Sequence, residues 1–244
     1  MHRGRIWLIV LAVIVFATIV VARLPLRWLL PALPTGLACA SAAGSLWHGA
    51  CDGFSVDGQT LGDLRWQLRP ASLLRARLDS DFQLVRERMR IMGRLQLSPG
   101  GALTLLDTQA LLPLERAYLP ALPADLGGQA DVLLRELQWR DGKVLVLQGE
   151  ADAHDLRQPQ SGAALGNYHV DFPETRAEPR GTLRDDGGPL EVNGEIVLTG
   201  EPGFTVNALV RARADAAPQL QEQLRYLGLP DAAGRYSLSI AGTF

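Results

Sequence analysis

Along most of this chain apolar and polar residues alternate one for one. Leu64, Trp66 and Leu68 are interleaved with Arg65, Gln67 and Arg69, and Leu78, Phe82 and Leu84 with Asp79, Asp81 and Gln83. The pattern returns at Ile91, Leu95 and Leu97 against Arg90, Arg94 and Gln96, and at Val192, Ile196 and Leu198 against Glu191, Asn193 and Glu195. It returns again at Phe204, Val206, Ala208 and Val210 against Thr205, Asn207, Arg211 and Arg213, and at Tyr236, Leu238 and Ile240 against Arg235, Ser237 and Ser239. A period of two sends successive side chains to opposite faces, which is the pattern of a half-buried strand. Turn residues fall between these runs: Asp57-Gly58, Ser98-Pro99-Gly100-Gly101, Asp141-Gly142 and Asp185-Asp186-Gly187-Gly188. Each is short enough to join two antiparallel strands.

Helical signals are few. Residues 113–119 open on Pro113 and stop at Pro120, which allows about two turns. Residues 216–227 carry Leu220, Leu224 and Leu227 on one stripe, with Pro218 in the first turn and Gly228 beyond the end. The fold predicted is therefore mainly β: an elongated, curved antiparallel sheet with one or two short helices. Its polar face meets water, and its apolar face is covered by curling or by the helices.

The alternation is absent at the N-terminus. Residues 6–22 contain no charge, and as a helix they would rise roughly 25 Å, the short end for a bilayer core. Trp7 and Trp28 bracket the run, as interfacial aromatic anchors do. Arg3 and Arg5 precede it and Arg23 and Arg27 follow, so arginine alone does not set the orientation. The short basic tail before the run favours a cytoplasmic N-terminus. The competing reading is a leader cleaved after Val20-Val21-Ala22, but the run exceeds the roughly 7–15 apolar residues of such leaders. The predicted organisation is a tail and transmembrane anchor over 1–23, a proline-rich juxtamembrane linker over 24–34 and a β-rich domain over 35–244. Cys39 and Cys51 lie close together in that domain, and in an oxidising compartment they are a candidate disulfide. The alternative is two small buried thiols.

Composition adds exclusions. Of 244 residues 47% are hydrophobic, enough to bury a core, and the net charge of −2 predicts no nucleic-acid partner. The histidines are His2, His48, His154 and His169. His154 with Asp152 and Asp155 is a weak metal signal, and no metal or cofactor is expected. No nucleophile elbow, zinc-protease motif or phosphate-binding loop occurs, so no residue is assigned to catalysis and the reading is of a protein that is not an enzyme. Arg86, Arg88 and Arg90 recur at every second position and read as a solvated strand face, with lipid headgroups or an acidic partner as the alternative. Asp185-Asp186 reads as turn chemistry.

One set of motifs carries a resemblance. Gly44-Ser45-Leu46-Trp47-His48-Gly49 has the form G-x-L-W-x-G and reads as a strand. After it come Leu61 to Pro70, containing Leu64, Trp66, Leu68 and Pro70, and then Ser72-Leu73-Leu74. Leu227-Gly228-Leu229-Pro230 and Gly234-Arg235-Tyr236 close the chain. In order and spacing this resembles the N protein of the bacterial type II secretion system, also called general secretion pathway protein N. The resemblance implies a single-pass inner-membrane protein of a Gram-negative bacterium, with most of the chain periplasmic. It implies an accessory role in protein secretion, with inner-membrane platform proteins and the outer-membrane secretin as partners. The layout is also similar to AsmA-like envelope proteins, which implies the alternative of binding or guiding lipids in an apolar β-groove. Gly44, Trp47, Gly49, Leu64, Trp66 and Pro70 are read as structural members of the motif. The tryptophans would fill the apolar face and the glycines serve turns, bulges or close approach.

Overall fold

The computed structural model describes residues 26, 35–118, 126–158, 161–176, 179–199 and 203–243. Contacts divide the chain after Arg86 into two units.

The first unit contains β1 (Leu37–Ala38), β2 (Ser41–Gly44), β3 (His48–Val56), β4 (Gln59–Leu68) and β5 (Leu78–Arg86). All pairings are antiparallel: β1 and β2 both lie along β3, and β4 lies between β3 and β5. Asp57 and Gly58 join β3 to β4 with φ of 49° and 80°, the left-handed pair of a tight hairpin turn. Leu64, Trp66 and Leu68 stand opposite Leu84, Phe82 and Ser80 on one face. The intervening Asp63, Arg65 and Gln67 are exposed, as the alternation predicts. Cys39 and Cys51 are joined by a disulfide, with Cα atoms 5.5 Å apart.

After β4 the chain turns through a 3-10 segment, Pro70–Arg75, which Pro70 opens. Ser72 is its buried member. Its hydroxyl donates to the Arg69 carbonyl at 2.7 Å and accepts the Asp79 N–H at 3.1 Å. With Ser72 turned inward, Leu73 and Leu74 turn outward, and Leu74 is 91% exposed. The Leu-Leu pair therefore belongs to this segment and not to the preceding strand.

The second unit is a meander of nine strands in which each pairs antiparallel with its sequence neighbour. They are β6 (Met89–Leu97), β7 (Leu103–Pro113), β8 (Gly127–Arg140), β9 (Lys143–Arg157), β10 (Ala164–Arg176), β11 (Arg180–Asp185), β12 (Leu190–Thr199), β13 (Gly203–Ala212) and β14 (Tyr236–Thr243). Asp141 and Gly142 make the two-residue turn between β8 and β9, again with positive φ at both (50° and 77°). Register aligns Ile91, Ala110, Val132, Ala151, Val170, Leu183, Gly194, Ala208 and Leu238 in one apolar row across all nine strands. Gly194 fits because a Cβ there would meet that of Ala208 at 2.7 Å.

The helix α1 (Pro218–Leu224) covers part of this face. Leu220 and Leu224, with Ala216, pack against Leu190, Val192, Ala208 and Val210. The last turn tightens into a 3-10 segment, Arg225–Leu227, before Gly228. That tightening rotates Leu227 off the predicted stripe, and it is 40% exposed.

Two local expectations are corrected. Residues 113–119 do not form a helix: Pro113 ends β7, paired with Gln129, and residues 116–118 form a turn. The ladder with β8 takes this segment, and Pro113 at its end needs no donor; Leu119 lies outside the described residues. Arg86, Arg88 and Arg90 do not share a strand face, because the chain turns at residues 87–88, with Glu87 at φ 47°. No helix among the described residues is long and apolar enough to cross a membrane. The predicted anchor over 6–22, and the 24–34 linker except Leu26, lie outside those residues.

Candidate functional site

The G-x-L-W-x-G segment is a hairpin end and not a strand. Gly44 and Gly49 face each other as the last pair of β2 and β3. Between them Ser45 N–H donates to the His48 carbonyl at 2.9 Å, and His48 N–H donates to the Ser45 hydroxyl at 3.3 Å. Trp47 therefore sits in the turn. Gly44 enters the turn at φ 89°, and a Cβ there would strike the His48 carbonyl. Trp66 stands directly opposite Gly49, and its ring fills the space a Cβ at Gly49 would need. Its indole N–H donates to the Leu46 carbonyl at 3.0 Å, locking the turn to β4. Leu64 stands opposite Cys51 on one side and Leu84 on the other. Gly44, Trp47, Gly49, Leu64 and Trp66 thus gather on β2, β3, β4 and their turn, and Pro70 lies just past the end of β4.

A second set of candidates surrounds β14. This strand pairs with β13 from Gly203↔Thr243 to Val210↔Tyr236, and its other edge has no strand among the described residues. Ile240 on it is 47% exposed. The 3-10 segment and the loop leading into it present Tyr226 (91% exposed) and Leu229 (95% exposed). Asp231 holds the rest of that loop. Its carboxylate accepts the Ala233 and Arg235 backbone N–H groups at 2.9 and 2.8 Å and the Arg235 guanidinium at 2.9 Å. The bonds from Arg235, backbone first, hold this carboxyl below the usual aspartate range.

The polar face of the second unit holds a third set. Two polar rows flank the apolar one. One aligns Asp131, Asp152, His169 and Arg184, and the other aligns Leu133, Glu150, Asp171 and Thr182. The His169 Nδ1 lies 2.6 Å from the Asp152 carboxylate. His154 faces Asp131 at 3.6 Å. The group of His154, Asp152 and Asp155, only a weak metal signal in the sequence, is divided, because His169 takes Asp152. Beside these groups a groove of about 480 Å³ runs over Met92, Leu111 and Leu133 and ends at Asp131, Glu150 and Asp152.

Asp185, read from sequence as a turn residue, is half of an ion pair with only 11% of its side chain exposed. One oxygen accepts the Val192 N–H at 2.9 Å, and the other receives the Arg213 guanidinium, which also donates to the Gly188 carbonyl. The pair clamps the β11–β12 loop to the end of β13.

A sequence profile of the family described as type II secretion system (T2SS), protein N matches residues 35–239. The type II secretion system protein N of Vibrio cholerae serotype O1 (strain ATCC 39315 / El Tor Inaba N16961) is 30% identical over 240 residues, covering 93% of this chain and 94% of that protein. No solved structure matches the chain significantly. With a profile that spans both units and a relative of equal extent, the chain belongs to the type II secretion system protein N family.

Proposed function

We propose that this chain is a non-catalytic accessory component of the type II secretion machinery, held in the inner membrane by residues 6–22, with residues 35–244 in the periplasm. It works by protein contacts, making and breaking no covalent bond. The observation that carries this reading is the edge of β14 that has no strand among the described residues, with Tyr226 and Leu229 exposed in the connection that leads into it. An open edge offers a row of unpaired backbone N–H and C=O groups, and strand addition there supplies affinity through the main chain. The platform proteins and the secretin are the partners proposed.

The test is affinity purification of the full chain from native membranes after mild crosslinking, with protein and lipid identified by mass spectrometry. Secretion subunits at near-stoichiometric yield are expected. Proline at Ser239 and at Ile240 in turn refines it. In an antiparallel pair one of two adjacent N–H groups faces outward, so one variant keeps the melting temperature and loses the partner. Leu229→Ser should weaken capture without changing stability. Capture that survives all three variants would overturn the edge reading.

A second reading has its own observation. The apolar row from Ile91 to Val170 crosses β6 to β10, whereas the cluster around α1 lies on β12 and β13 and takes in Leu183 of β11. A lipid-guiding groove of the AsmA-like kind would use that row. Abundant copurified phospholipid without secretion subunits would favour it over the first.

A further inference from the structure

The polar face of the second unit brings together a nitrogen donor and two carboxylates that the secretion role does not use. Glu150 and Asp171 are directly opposed on β9 and β10, and His169 is two residues from Asp171 on the same face. One ligand atom from each of Glu150, His169 and Asp171 lies within 4.8 Å of the others. We infer that Glu150, His169 and Asp171 form a binding site for one divalent transition-metal ion, Zn²⁺ by the chemistry of its donors, with Asp152 orienting the histidine.

Three observations carry the inference beyond a group of surface acids. The first is the donor set. One imidazole and two carboxylates suit Zn²⁺, whereas Ca²⁺ and Mg²⁺ select oxygen donors alone. Three protein ligands leave a fourth tetrahedral position to water.

The second is the state of His169. Its Nδ1 is engaged by the Asp152 carboxylate at 2.6 Å, which leaves Nε2 as the nitrogen offered to an ion. A carboxylate behind the imidazole fixes the tautomer and ring orientation, as outer partners do in metal sites. Asp152 gets its place from the ladder, directly opposite His169.

The third is charge. Glu150 and Asp171 face each other across the ladder, and like charges in that relation destabilise a sheet. Among the described residues neither carboxylate has a hydrogen bond or an ion pair. Asp131 and Asp152 add negative charge in the adjoining row. Arg184, opposite His169 on β11, is exposed and bonds neither carboxylate. A dication would turn this repulsion into attraction. All three ligand side chains are half-buried, and rotating them closes the spacing toward the about 3.3 Å between ligands around Zn²⁺.

The test is Zn²⁺ titration of the purified full chain by calorimetry, with equilibrium dialysis to count bound metal. One equivalent is expected. His169→Ala should lower the affinity at least 100-fold. Asp171→Asn and Glu150→Gln should each lower it about tenfold or more, and Asp152→Asn about 10- to 100-fold. His154→Ala, at the neighbouring Asp131 pair, should leave it unchanged. Zn²⁺ at about 100-fold above its Kd should raise the melting temperature by about 5 °C, and His169→Ala should abolish the shift. Asp171→Asn, nearly isosteric, keeps the test meaningful if His169→Ala fails to fold. The absence of a stoichiometric site would overturn the proposal. So would binding that survives His169→Ala, or a stabilisation by Ca²⁺ that persists in that variant.

Discussion

The Trp66–Gly49 pair shows how two motif residues seventeen positions apart depend on each other. The ring takes the volume a glycine leaves empty, and its N–H satisfies a carbonyl in the turn that the same glycine closes. Gly49→Ala should therefore cost about 2 kcal/mol of stability by expelling the ring and breaking the Leu46 bond. In a Trp66→Ala background the same change should cost almost nothing; additive losses in a denaturant-based double-mutant cycle would disprove the pairing. From sequence both residues are read as structural, but their partnership is not legible there, since register is a property of the folded ladder. Asp185 teaches the same lesson. Its partner Arg213 lies 28 residues away, beyond any local signal. Burial pushes the Asp185 carboxyl up, but the Val192 N–H and the Arg213 guanidinium outweigh it, and the group titrates below the usual range. A depressed folded-state pKa adds stability above the unfolded value of about 3.9, and that stability fades as pH falls through the folded one. Asp185→Asn should accordingly lower stability by about 1–2 kcal/mol at pH 7. The gap from the parent in urea midpoint should narrow as pH falls below the unfolded value of about 3.9, and a gap constant with pH would refute the assignment.

Among the elements, strands and hairpin turns were the legible part. Period-two alternation and the Asp-Gly turns need only local chemistry, and both Asp-Gly turns adopt the left-handed pair expected of them. Segments that change conformation over three or four residues were not legible. The Trp47 turn alternates as a strand does, and residues 113–119 carry a helix-start proline that in fact ends a strand. In each case a ladder to a neighbouring strand decides what local propensity leaves open. The short strands β1 and β2 depend on more than pairing. With two and four residues, they place few backbone bonds against β3. Cys39 lies between them and Cys51 on β3 is 1% exposed, so the bridge secures their connector to the ladder. Closing this loop should contribute about 3 kcal/mol in the chain-entropy model. Replacing both cysteines by serine should lower the unfolding free energy from denaturant titration by that amount, and reductant should have no further effect. A thiol count that does not change on reduction would contradict the bridge.

Across the whole molecule, the fold class follows from alternation alone, and the family from the order of its motifs. Neither pointed to Glu150, His169 and Asp171. In hindsight the signal is present as two pairs, Glu150 with Asp152 and His169 with Asp171, each spaced by two on consecutive strands. It becomes a site only when register sets one pair against the other, and bulges between β9 and β10 shift that register out of reach of counting. The edge at β14 was equally invisible, because sequence marks a strand without saying which of its sides is paired.

The meander of the second unit has a consequence for folding and for descent. Because each of its strands pairs with its sequence neighbour, the unit can assemble strand by strand, with the α1 connection between β13 and β14 as a long loop to close. Its stability then approximates a sum of nearest-neighbour terms, as in repeat proteins. Such a sheet can gain or lose a hairpin during evolution while the remaining ladders keep their register, so chain length is free to drift where the order of strands is not.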